Sequence, residues 1–143
     1  MVSILTGLIA GLIATVVMTM FMMTMGDDSP PPTAALWAKY VGDEGPEAYM
    51  KQGMLLHMLY GVGAGAAFAV GATALGLAVG AGALVGSVLW GLAFGLVLMV
   101  GGMMFWMRIV LAMEPDPKTM AAFGFFHVVY GVVLGAGIAL LPV

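Results

Sequence analysis

Residues 1–26, 52–107 and 119–143 contain no Asp, Glu, Lys or Arg. These three charge-free runs constrain the fold more than any other feature of the chain. A hydrocarbon core about 30 Å thick is crossed by about 20 apolar residues in helix, so the first and last runs each have the length of one crossing. At about 1.5 Å per residue, the middle run of 56 residues would extend about 84 Å as a single helix. It has to fold back, and "GLAVGAG" at 76–82 supplies the glycines for a hairpin. The reading is an all-α membrane protein with four transmembrane helices near residues 2–25, 51–76, 82–110 and 118–141.

Composition excludes the soluble alternative. Only 8% of the residues are charged, whereas a soluble domain carries roughly a quarter. A membrane β-barrel needs strands of alternating polarity, and nothing here alternates. The first run lacks the basic start of a secretory signal and exceeds its usual apolar length, so it reads as a span. Without cysteine there are no disulfides, thiolate metal sites or Cys nucleophiles. Net charge −3 with four basic residues offers no nucleic-acid footprint.

All eleven charges lie between residues 27 and 118, in or beside the first and third connections. Two crossings separate those connections, so both belong to one membrane face. The positive-inside bias places that face, with loops 27–50 and 111–118, in the cytoplasm and both termini outside. In the first connection, Pro30, Pro31 and Pro32 break the first helix, and Thr33 is a candidate cap for a short interfacial helix, "AALWAKYV". Pro46 and Pro117 stand at helix starts, the second behind Asp116 as cap.

"HMLYGVGAG" begins at residue 57 and "HVVYGVVLG" at residue 127. Each follows its proline by about ten residues, and "GLIAG" at 7–11 resembles "GALVG" at 82–86. The chain therefore reads as one domain, 1–143, built of two tandem helical hairpins. Repeat one covers 1–76 and repeat two 82–143, related as a parallel repeat about an axis along the membrane normal. At 100° per residue, His57, Tyr60, Gly61 and Gly65 share one helix face, as do His127, Tyr130, Gly131 and Gly135. Gly7/Gly11/Thr15, Gly82/Gly86 and Gly91/Gly95 repeat the small-x-x-x-small spacing, which marks close helix–helix contact in bilayers.

Histidines at membrane depth face the bundle interior and need a partner. The simplest expectation is that each His and Tyr hydrogen-bonds across the bundle, with the second and fourth spans as diagonal neighbours. Two alternatives give the rings a cofactor. One is haem b, with His57 and His127 as axial ligands. The other is copper, held by His57 and His127 with thioethers from Met18 and Met22 or from Met103 and Met107. Fifteen methionines motivate the copper alternative, although Met is also an ordinary filler of apolar gaps. Catalysis finds no support: the acids sit in interfacial loops, no serine adjoins a histidine in sequence, and the glycines lack the strand–turn–helix context of a phosphate loop.

With "GLIAGLIATVVMTMFMM" in its first helix and His-x-x-Tyr-Gly in its second and fourth, the chain resembles the YagU-like group of small four-helix membrane proteins of unknown function. The resemblance covers most of the chain. It implies a compact four-helix bundle and brings no activity, cofactor or substrate. The expected function is a non-enzymatic, multi-pass protein of the cell membrane. It would act as an accessory, assembly or structural subunit with other membrane subunits, or as a homo-oligomer.

Overall fold

A computed structural model describes residues 1–26 and 28–141. Asp27, expected at the head of the first charged loop, and residues 142–143 lie outside them. The described chain is all-helical: α1 (Ile4–Met25), α2 (Pro32–Tyr40), α3 (Met50–Ala74, entered through a 3₁₀ turn at Pro46–Tyr49), α4 (Leu84–Gly101) and α5 (Pro117–Leu140). After Gly101 the fourth helix widens into a π-helix over Gly102–Val110, followed by Ala112 at φ 52°. Four helical stretches, Ile4–Met25, Pro46–Ala74, Leu84–Val110 and Pro117–Leu140, are long and apolar enough to cross a membrane.

The helix ends follow local chemistry. Ser3 Oγ accepts from the Thr6 amide at 2.9 Å to cap α1. Asp116 accepts from the Thr119 amide at 2.7 Å to cap α5, with Pro117 in the first helical position. That amide holds the Asp116 carboxyl below its ordinary range. The cap's contribution is therefore complete above that range and disappears as pH falls through the lowered value. The Tm difference between the natural protein and Asp116→Ala should be present at neutral pH and shrink on acidification. A difference independent of pH would contradict the assignment.

At the first connection the structure departs from expectation. Thr33 does not cap α2; Pro31 occupies the cap position without a side-chain bond and Pro32 is already helical. Because a proline ring presets a helical φ, the helix starts earlier and leaves the Thr33 hydroxyl inside its first turn. The 76–82 hairpin is where expected, with Gly76, Gly80 and Gly82 at φ 63°, 112° and 83°, a region that favours glycine. Gly82 is thus a turn residue, not the helix-contact residue its spacing to Gly86 suggested.

The helices pack in the spatial order α3–α1–α5–α4. This is an up-down-up-down bundle with α3 and α5 on a diagonal, but the α3 and α4 backbones hardly approach each other. Each sequence hairpin closes on glycine. A Cβ on Gly11 would lie 2.9 Å from the Gly61 carbonyl oxygen and 3.0 Å from Gly65 Cα. One on Gly91 would lie 2.8 Å from Gly135 Cα. Gly95 fits against Gly131, and Gly135 against Ser87 and Val88. Gly7 and Gly11 thus meet Gly65 and Gly61 on α3 much as Ser87 and Gly91 meet Gly135 and Gly131 on α5, whereas Gly82 and Ala83 of "GALVG" precede α4.

Between the hairpins, Ala10, Ala14 and Met18 of α1 pack with Ala64, Phe68 and Ala72 of α3 and with Phe126, Tyr130, Leu134 and Ile138 of α5. Outward faces carry exposed Leu12, Val16, Leu89, Val97 and Leu140, as a lipid-facing surface does. At the charged end, the Lys39 ammonium on α2 donates to the Val110 carbonyl at the end of the π-helix. The two charged connections therefore meet at one end of the bundle.

Candidate ligand site between the hairpins

A cavity of about 420 Å³ lies in the charged-end half of the bundle. Every helix contributes. Thr15, Met18 and Met22 come from α1, Thr33 and Leu36 from α2, and Leu56, His57, Tyr60, Gly61 and Ala64 from α3. Leu98, Gly102 and Trp106 come from α4 and its π-helical extension, and Phe123, Phe126, His127 and Tyr130 from α5. The other end of the α3/α4 gap is closed by Phe68 and Phe94, whose ring centroids are 5.3 Å apart.

The two histidines of the repeated motif do meet in one place, but their bonding differs. On α5, the His127 Nδ1–H donates to the Phe123 carbonyl at 2.8 Å, and the ring lies on that of Phe123 with centroids 4.2 Å apart. A carbonyl only accepts, so Nδ1 carries the proton and Nε2 of the neutral ring presents a lone pair. On α3, His57 is half-buried and its Nε2 is buried without a hydrogen-bond partner. The expectation that each histidine bonds across the bundle is therefore not met by either ring. One bonds within its own helix and the other leaves a nitrogen unpaired.

The tyrosines also diverge. Tyr130 O–H donates to the Gly61 carbonyl at 2.6 Å, crossing the α3/α5 diagonal. Tyr60 is 46% exposed and belongs to the cavity mouth, not to a polar core. The asymmetry follows from packing, since α5 lies between α1 and α4 whereas α3 lacks a full neighbour on its α4 side. Tyr130→Phe should cost about 1 kcal/mol of unfolding free energy, the usual size of a neutral buried hydrogen bond, while Tyr60→Phe should cost nothing. Equal effects in a denaturant series would contradict this distinction.

Of the other expected site residues, Gly61 lines the cavity and bounds the α1/α3 seam, while Gly65, Gly131 and Gly135 lie in the two seams. Met18 and Met22 line the cavity with both histidines; Met103 and Met107 do not. Met107 is instead buried elsewhere in the π-helix, at 3% exposure. Among the described residues no group of three or more His, Cys, Asp or Glu could hold a metal ion. Ser87 accepts from the Gly80 amide at 2.9 Å, at the hairpin end far from both histidines, so Ser87 does not pair with a histidine.

Sequence reasoning missed three contributors: Thr33, Trp106 and α2 as a whole. Ala34 packs against Gly53, where a Cβ would stand 2.6 Å from the Ala34 Cβ, and this brings α2 under the cavity. Gly53 lies one turn before His57 on α3, a usable signal in retrospect. Among the described residues, two buried side-chain polar atoms have no hydrogen-bond partner, Thr33 Oγ1 and His57 Nε2. Both residues line this cavity. No family model, curated protein or solved structure matches the chain.

Proposed function

We propose that this chain is a non-enzymatic membrane protein that binds a small molecule within the bundle, in the cavity between its two hairpins. One observation carries the reading: the buried polar atoms without partners converge on a single cavity. An unpaired buried polar group costs about 1–3 kcal/mol, and two on one concave, mainly apolar surface are the usual mark of a ligand site. Supporting it further is the His127 ring, fixed by Phe123 with Nε2 left for a ligand. In this reading the duplicated His-x-x-Tyr-Gly is the remnant of a tandem hairpin, a view supported by the matching glycine registers of the two seams. One copy then diverged to bridge the diagonal while the other stayed open to the ligand. The charged end, and with it the cavity, faces the cytoplasm under the positive-inside bias.

Leu98→Trp tests the proposal by filling the cavity from α4. Nile red, a neutral flat fluorophore, should bind the natural protein saturably above its partition into micelles. The variant should lose that saturable component and keep its helical circular dichroism. Equal Nile red binding by both proteins would overturn the reading.

A second reading, assembly with another subunit or a second copy, is favoured by a different surface. Gly63, Ala67 and Gly71 form a small-x-x-x-small stripe on α3, and neither glycine has another group within 4 Å of a would-be Cβ. That stripe lies on the face turned away from Gly61 and Gly65. The cofactor alternatives gain less. For haem b, His57 and His127 would be the ligands, and they share the cavity wall with Tyr130 and Gly61, which are already hydrogen-bonded to each other. For copper, the neutral donors Met18, Met22, His57 and His127 are of suitable softness. However, the cavity is far larger than one ion needs.

A further inference from the structure

Given the ligand-binding reading of the cavity, on which this inference rests, the chemistry of the wall narrows the occupant. No charged side chain lines it. Lys39, Lys51, Arg108, Lys118 and the described acids are all absent from its wall. A phosphate, carboxylate or ammonium group placed there would be buried without a permanent counter-charge, an anion being compensated only by protonating an imidazole inside an apolar site, which is costly. Thr15 and Tyr130 already donate to the Gly11 and Gly61 carbonyls and Tyr60 stands at the exposed mouth, so the available buried polar atoms are the Thr33 hydroxyl and imidazole nitrogens, each able to complete a hydrogen bond with an uncharged partner. Thr33 and His57 are brought to one region because Ala34, next to Thr33, packs on Gly53, one helical turn from His57. Most of the remaining wall is apolar, with Leu36, Leu56, Leu98, Trp106, Phe123 and Phe126 among it, suited to an apolar body or flat ring. The α3 and α4 backbones hardly approach each other, and in this proposal an occupant enters from the bilayer on that side.

The geometry points to an uncharged, lipid-soluble occupant with one carbonyl or hydroxyl end. That end bonds to Thr33 Oγ1 and His57 Nε2, and the apolar body lies against Trp106, Phe123 and Phe126. A hydroxyl satisfies both groups, accepting from Thr33 while donating to the imidazole. A carbonyl satisfies them by accepting from the Thr33 O–H and from a His57 Nε2–H.

Trp106 allows a direct test. In Trp37→Phe/Trp90→Phe protein it is the sole tryptophan, and it lines the cavity. In Trp37→Phe/Trp106→Phe protein the exposed Trp90 reports micelle partition alone. The probes are 10-bromodecan-1-ol, 10-bromodecanoate and (10-bromodecyl)trimethylammonium, identical brominated tails with different heads. The alcohol should quench Trp106 saturably, at concentrations about tenfold below those that quench Trp90, a difference of about 1.4 kcal/mol. The charged probes should quench both tryptophans alike and without saturation. Thr33→Val with His57→Leu, which removes only unpaired polar groups and so should fold, should raise the alcohol's half-saturation about fivefold, as loss of about 1 kcal/mol of hydrogen bonding requires.

Charged probes that saturate Trp106 as readily as the alcohol, or an unchanged double variant, would overturn the uncharged-head assignment and leave the cavity standing. Absence of saturation with every probe and with Nile red would remove the cavity reading itself. Cu(I) held against bicinchoninate competition, dependent on Met18 and His57 and blocking the alcohol, would make the cavity a metal centre and overturn the proposal.

Discussion

Gly135→Leu should unfold or severely loosen the bundle, whereas Gly63→Leu should leave its stability unchanged. At Gly135 the first added carbon already lies 2.6 Å from Val88 Cα and 2.8 Å from the Ser87 carbonyl carbon. Both are backbone atoms, so no rotamer change relieves the clash and α4 and α5 have to separate. Overpacking with side chains around it costs about 1–3 kcal/mol, and separating two backbones places this substitution at or above the top of that range. The loss also spreads, because helices in lipid gain nothing by hiding Leu and depend on close contact. Gly63 has nothing within 4 Å of its would-be Cβ, so a leucine there meets only lipid. Unfolding free energies of the two variants in bicelles check the contrast; equal losses would contradict the seam. If the Gly63–Ala67–Gly71 stripe holds a second copy, Gly63→Leu should convert a dimer to a monomer in size exclusion without lowering stability. A natural protein that is already monomeric would remove that second reading.

His57→Leu should stabilise the ligand-stripped protein by about 1–3 kcal/mol, because it deletes a buried nitrogen that nothing satisfies. For a chain of this size that is a Tm increase of several degrees, at about 2–4 °C per kcal/mol. His57→Gln keeps a polar group in the same place and should gain little. On sequence alone the opposite ranking is the natural one: a membrane histidine bonded across the bundle should tolerate Gln better than Leu. His127 does not follow His57, since its Nδ1–H already bonds to Phe123, and His127→Leu should be neutral to mildly destabilising. The test compares melting curves of delipidated His57→Leu, His57→Gln and His127→Leu. A destabilised His57→Leu would mean that Nε2 has a partner inside the protein, and the main support for a ligand would go.

What could be read from the sequence depended on whether the signal was local. The spans follow from charge-free length, the hairpin from "GLAVGAG", the Asp116 cap from Asp-Pro, and the Gly11/Gly61/Gly65 seam from spacing. Each involves residues within a few turns of one another along a helix or across a seam. The cavity was not readable because it arises from a separation: α3 and α4 are consecutive, yet no residue pattern states that their backbones stay apart. Nor did any pattern announce the π-helix, although Gly101-Gly102 at its start combines two weak helix formers. The two copies of His-x-x-Tyr-Gly are nearly the same string, so nothing in the residues themselves distinguishes them. Packing does, burying Tyr130 while leaving Tyr60 at the mouth.

That the cavity between the hairpins is made to be occupied is tested most directly by native mass spectrometry. The protein is extracted in mild detergent without delipidation. The expected result is a population heavier than the bare 14.7 kDa chain by one small uncharged molecule, absent from Leu98→Trp prepared in the same way. A bare chain in both proteins, remaining bare after incubation with a neutral long-chain alcohol, would contradict it.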